Sequence, residues 1–298
     1  MEYIKRDPLY YEMDKNTAPA VTIQSGETVC VQTYDSMTGR IVDETGTKYF
    51  GVGGCNPCSG PIYVSDALPG DTLKVEILDI VPQGPCYTTC APGFGAYADR
   101  VMDKVVHMLP IKGNYLIFQN DMQIPVRCMI GTIGVAPKDK AIDTLWPAEH
   151  GGHMDYTRIA SGSTVYIPVQ VEGALLFMGD VHASMGDGEV MGAGAEVGAE
   201  ITVRISVVKD KIPCVIVDAD NRLYTVASRP TLEECCQEAV WNMACLIGQY
   251  KNLSTDEAGM LCSLVGDLHI CQIVDPQPTV RFGVDKYYIL GDNSKNFL

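Results

Sequence analysis

Five residues able to bind a metal or carry a proton fall within eighteen positions, Gly179 to Glu196 (GDVHASMGDGEVMGAGAE): Asp180, His182, Asp187, Glu189 and Glu196. Imidazole nitrogen with carboxylate oxygen is a zinc donor set, and a carboxylate left free can move protons. In an extended chain alternate residues share a face, so Asp180 and His182 are expected to point together while Val181 points into the core. The same spacing places Asp187 and Glu189 on one face. The run's five glycines, with Gly198 just after it, suit tight turns and close backbone approach. A second polar stretch, WPAEHGGHMDYTRI at 146–159, sets His150, His153, Glu149 and Asp155 around Gly151-Gly152. His150-x-x-His153 is too tightly spaced for the helical His-Glu-x-x-His of zinc proteases, and the glycine pair argues against a helix, so a polar loop is expected. Three of the five histidines lie in these two stretches, which points to a metal site built from both. Asp187-Gly188-Glu189 offers only oxygen, which suits a structural calcium equally well, and the residues alone leave the two metals open.

Strands must hold these residues. Val165, Ile167, Val169 and Val171 alternate with polar positions in a strand expected over 165–178, and Ile201 to Val207 repeats the pattern, so the acidic run is expected between two strands. Leu73, Val75 and Ile77 alternate after the Pro69-Gly70-Asp71 turn signal. The Pro-, Gly- and Cys-rich stretch 82–95 reads as a long loop, and VRCMIGTIGVAP at 126–137 as a buried strand that turns sharply at its glycines. Past 230 the character changes. Thr231 with Glu234 forms a capping box, followed by Leu232, Cys235, Cys236, Ala239, Val240, Met243 and Ile247 at helical spacing; Ser254 with Glu257 opens a shorter helix.

At 298 residues the chain can bury a substantial core, and its 46% hydrophobic content is that of an ordinary globular protein. A net charge of −15 without a basic stripe argues against nucleic acid and against an anionic membrane surface. The first sixteen residues are charged throughout rather than leader-like, and no apolar run reaches the ~18 residues of a membrane span, so a cytoplasmic protein is expected. Twelve scattered cysteines then read as small buried hydrophobes. Cys55-x-x-Cys58 lacks the correctly spaced second pair of a zinc ribbon. Neither a G-x-G-x-x-G turn nor a phosphate-binding loop supports a nucleotide cofactor.

The run LFMGDVHASMGDGEVMGAGAE, with GPIYVSDALPGDTL at 60–73, MIGTIGVAP at 129–137 and EHGGHMD at 149–155, resembles the acetamidase/formamidase family, in the same order along most of the chain. The resemblance implies a metal-assisted hydrolase of small linear amides that yields a carboxylate and ammonia and works as a homodimer. It also implies a mainly β fold: a jelly-roll-like β sandwich with additional β structure, within one unit comprising a β-rich body (1–225) and an α+β C-terminal part (226–298). For that chemistry Asp155, Asp180 and His182 are the expected ligands of a divalent metal, zinc first and calcium as the alternative, with His150 beside them. Glu189 is the expected general base and later acid, assisted by Asp187; a second metal would use Asp187 or Glu196. The family pattern reads His-Gly-Gly-Asn-Met-Asp where this chain has His153, which offers a further ligand. Two rivals remain: an amidase with a Cys58 or Cys128 nucleophile, and a calcium-stabilised binding protein without catalysis.

Overall fold

A computed structural model describes residues 1–291 and 297–298. The chain is mainly β, as expected. Fifteen strands join in one hydrogen-bonded network, and helices are concentrated in the C-terminal quarter. The network is centred on the long strands Thr72–Cys90 and Glu196–Val208, which pair with each other. Glu196–Val208 also receives Glu27–Thr33 along part of its length. Alternation sets the packing. Val197, Ile201, Val203 and Ile205 enter the main core with Leu73, Val75 and Ile77 from the neighbouring strand.

Three strands frame the chemistry. Met129–Val135 pairs antiparallel with Leu176–His182 on one edge and with the short Gly151–His153 on the other. All seven residues of Met129–Val135 are buried. Its glycines do not turn the chain; they admit close neighbours. A Cβ on Gly134 would lie 2.7 Å from the Gly152 nitrogen and 2.8 Å from the His150 carbonyl oxygen.

The strand expected over 165–178 is two strands, Thr164–Pro168 and Leu176–His182. Gly173, Ala174 and Leu175 all have positive φ and break it, and alternation carries no sign of that turn. Thr164–Pro168 is also covered on both faces: Val165 and Ile167 enter the main core, while Tyr166 joins a second core beneath the C-terminal helices. The expected loop over 82–95 is strand up to Cys90. Pairing with Glu196–Val208 and Val105–Met108 supplies the ladder, and the prolines fall beside a register shift where a missing N–H is tolerated.

Both capping boxes are present, at Thr231/Glu234 and Ser254/Glu257, and they open the helices Leu232–Lys251 and Thr255–Val265. The first helix packs Cys235, Ala239, Met243 and Ile247 against Ile216, Leu223 and Val280. The strands Arg222–Ser228, Thr279–Asp285 and Asp267–Gln272 extend the same sheet, so the C-terminal part shares its β structure with the body. Among the described residues, no helix is long and apolar enough to cross a membrane.

Candidate metal centre

The three framing strands bring their polar residues to one point over Gly131. Its carbonyl accepts hydrogen bonds from the Met154 and Asp155 backbone N–H groups, at 3.0 and 3.1 Å, which seats the Asp155 side chain over the strand. Asp180 arrives from the opposite edge. A Cβ on Gly131 would collide with Asp155 Oδ1 and lie 2.6 Å from Asp180 Oδ2, so only glycine lets the two acids converge. On the other side of Asp180 and His182, Glu196 is the direct cross-strand partner of His182, with Oε1 at 3.1 Å from Nε2.

Asp180 and His182 do face one site, and Val181 between them is in the core, although Asp180 is not regular strand. Asp155, Asp180 and Glu189 have φ of +40°, +55° and +43°. Left-handed backbone is costly for L residues, of order 1–3 kcal/mol each, and three such acids in one cluster mark a site held against that cost.

Asp187 and Glu189 do not share a face. Positive φ at both Gly188 and Glu189 reverses the chain between them. Glu189 turns inward, 4.0 Å from His182 Nε2. Asp187 turns outward, where Arg281 grips it with two N–H donors at 2.6 and 3.1 Å and Thr157 donates at 2.7 Å. Arg281 is itself buried, its guanidinium 4.8 Å above the Tyr156 ring. Asp187 therefore neutralises a core arginine and is not placed to assist Glu189. His150 enters none of the close groups of ligand atoms. Its backbone bonds to Val135, and its ring lies against Gly152, with neither ring nitrogen meeting a protein partner. Burial pushes its pKa down to about 4, so it stays neutral.

Three more residues complete the cluster: His153, which the sequence offers as a further ligand, and Asn56 and Asp275, which it does not single out. His153, expected in a polar loop, is buried on its own strand. Its Nε2 lies 2.8 Å from Asp180 Oδ2, 3.2 Å from Asp155 Oδ2 and 2.6 Å from Asn56 Nδ2. Asn56 comes from the Cys55–Cys58 stretch. Asp275 comes from the C-terminal part and lies 2.8 Å from His153 Nδ1. Buried Gln272 orients it by accepting from the Val274 and Asp275 N–H groups. Only the Pro-rich surroundings of Asp275, VDPQP, mark it as an ordered loop in the sequence.

The electrostatics are one-sided. Four buried carboxylates, Asp155, Asp180, Glu189 and Glu196, with the partly buried Asp275 beside them, surround two imidazoles. Burial first, then the charges of Glu196 and Asp275, push the Glu189 carboxyl up to about 8 against the pull of His182. Burial and Glu189 hold Asp155 well above the usual carboxylate range. For Asp180, burial acts upward too, but the two histidines outweigh it and hold the acid low. Both histidines are held well above their ordinary value. Burial opposes this, but Glu196 and Asp180 overcome it at His182, and Asp155 and Asp275 at His153. Both oxygens of Asp155, Oδ1 of Asp180 and Oε2 of Glu196 are buried without a hydrogen-bond partner. Unpaired buried carboxylate oxygen is costly, and a cation answers both the charge and the missing partners.

Among the described residues, three groups have ligand atoms close enough to share an ion: His153/Asp155/Asp180, Asp155/His182/Glu189 and Asp180/His182/Glu196. Ligand atoms held about 2 Å from a tetrahedral zinc lie about 3.3 Å apart. The observed separations of 3.1 Å for His182 to Glu196 and 3.6 Å for His182 to Asp180 match that spacing. The expected set of Asp155, Asp180 and His182 is brought into one cluster but not into one compact group, because Asp155 meets the other edge of the His182 ring, 4.0 Å from Nδ1. No cysteine enters these groups. Cys58 is fully buried, and burial pushes its thiol up; Cys128 is pushed up to about 11 in the same way. Neither is held as the thiolate that a nucleophile needs.

The cluster floors a cleft of ≈ 450 Å³ with apolar walls from Phe50, Phe94 and Met191. The model of the acetamidase/formamidase family matches residues 8–144 and 135–233. A crystal structure of an acetamidase from Bacillus halodurans superposes with a TM-score of 0.93 and 37% identity, over 96% of this chain and 98% of that one. A predicted acetamidase/formamidase from Thermoanaerobacter tengcongensis gives 0.91 and 35%, over 96% of each chain. A formamidase of Methylophilus methylotrophus is 28% identical over 212 residues, 52% of each protein. The matches to curated relatives span between 52% and 63% of those proteins' length. With model matches running from residue 8 to 233 and such similarity over nearly the whole fold, the chain belongs to the acetamidase/formamidase family.

Proposed function

We propose that this protein is a metal-dependent hydrolase of small linear amides, such as acetamide or formamide, releasing a carboxylate and ammonia. One observation carries the reading: a buried cluster of carboxylates and imidazoles, with unpartnered carboxylate oxygens, floors an open cleft in a member of this family. Asp180, His182 and Glu196 would hold the ion, their donor atoms forming one compact group. Two histidines in the cluster favour zinc over calcium, which prefers oxygen alone. A bound divalent cation supplies Lewis-acid polarisation of the amide carbonyl and lowers the pKa of a water toward neutrality.

The chain's own residues do the rest. Glu189 faces the His182 edge from the cleft wall and is buried, yet it belongs to a flexed, positive-φ turn rather than to the strand ligands. It takes the proton from the attacking water and returns it to the departing nitrogen, which leaves as ammonia. That leaves the enzyme's protonation state unchanged after one turnover. Phe50, Phe94 and Met191 limit access of bulk water and face the apolar part of the amide. Asp187 and His150 have no part in this chemistry; they stabilise the frame.

The decisive experiment is substitution of Asp180 by Asn and of His182 by Ala. Both are expected to lose bound metal and ammonia release together. Full metal content in either variant overturns the ligand assignment.

A further inference from the structure

The His153 imidazole has more close neighbours than a proton can serve. Its Nε2 meets carboxylate oxygens of Asp180 and Asp155 at 2.8 and 3.2 Å, and the Asn56 amide nitrogen at 2.6 Å. A ring nitrogen carries at most one proton. One proton at Nε2 cannot serve two acids and an amide at once, whichever way the Asn56 amide is turned. The 2.8 Å contact to Asp180 is of hydrogen-bond length, whereas the 3.2 Å contact to Asp155 has the separation of atoms that ligate a common ion, about 3.3 Å in tetrahedral zinc. Asp155 Oδ1 and Oδ2 and Asp180 Oδ1 are buried with no hydrogen-bond partner.

This group shares only Asp180 with the Asp180/His182/Glu196 group. Each group has its own histidine, and Asp180 stands between them with Oδ2 2.8 Å from one ring and 3.6 Å from the other.

We infer that the chain holds a second divalent-cation site, made by His153, Asp155 and Asp180, with Asp180 common to both sites. The cation is of the zinc class, since an imidazole nitrogen heads the set. Asp275 Oδ2 lies 2.8 Å from Nδ1, so a carboxylate faces the ring nitrogen that is turned away from the two acids. The second site extends the metal-hydrolase reading and rests on it.

The test is zinc stoichiometry by equilibrium dialysis and elemental analysis, on wild-type, His153→Asn and Asp275→Asn proteins, with circular dichroism to confirm folding. Two equivalents in the wild type and one in His153→Asn are expected. Asp275→Asn, which keeps every ligand, should weaken the second equivalent by about 10- to 100-fold. It also decides the matter if His153→Asn fails to fold. One equivalent in the wild type overturns the second site and leaves the hydrolase reading standing. Two equivalents in His153→Asn remove His153 from it. No bound zinc in the wild type overturns both.

Discussion

His150 is 1% exposed, has no partner at either ring nitrogen, and burial alone pushes its pKa from 6.5 down to about 4. The folded pKa is below the unfolded one, so the unfolded chain binds the proton more readily. The stability this neutral ring contributes is fully present above about pH 6.5 and is lost as pH falls toward about 4. At about pH 5 the unfolded histidine is almost fully protonated and the folded one about one-tenth so, a loss of about 2 kcal/mol relative to pH 7.5. Below pH 4 the loss reaches a ceiling of about 3 kcal/mol. The perturbation is His150→Phe, which keeps an aromatic ring and removes the titration. Urea unfolding of both metal-free proteins at about pH 7.5 and about pH 5 gives four stabilities. The carboxylate cluster titrates in both proteins and cancels in the difference. The wild type should lose about 2 kcal/mol more than the variant on acidification, whatever the packing cost of phenylalanine at neutral pH. Equal losses in the two proteins would refute a neutral, desolvated His150 and reopen its place in the chemistry.

Asp187→Asn leaves the 2%-exposed Arg281 without its counter-charge; because Asp187 is half-exposed, a loss of about 2 kcal/mol is expected by urea unfolding, with bound zinc unchanged. Glu189→Gln should keep its zinc while ammonia release falls by about 10² to 10⁴, measured on the metal-loaded protein; loss of zinc would make Glu189 a ligand. Gly131→Ala drives a methyl group between Asp155 and Asp180, so elemental analysis should find zinc reduced or absent in a protein that remains folded. A fully loaded variant would show that the acids need not converge there.

What the sequence made legible was local. Period-2 alternation located the strands around Val75, Val165 and Ile201, and the two capping boxes located both long helices, because each signal lies within a few adjacent residues. Asp180 and His182 were legible for the same reason. The prediction for Asp187 and Glu189 used the same spacing and failed, since two positive-φ residues reverse the chain and nothing in Asp-Gly-Glu announces both. The glycines of Met129–Val135 are ambiguous in the sequence: glycine marks a turn and a close approach alike, and only the fold shows the acids above Gly131. Asn56 and Asp275 are separated from His153 by 97 and 122 positions, and sheet topology alone brings them to the imidazole. The prolines of 82–90 suggested a loop because local propensity cannot foresee a partner strand more than a hundred residues later.

The most direct measurement is ammonia release from acetamide and formamide by protein stripped with a chelator and then titrated with zinc, with bound metal determined at each point. Hydrolysis should be absent from the stripped protein and rise in step with bound zinc until the Asp180/His182/Glu196 group is filled. Undiminished hydrolysis by the metal-free protein, or full zinc occupancy with neither amide cleaved, would contradict a metal-dependent amidase.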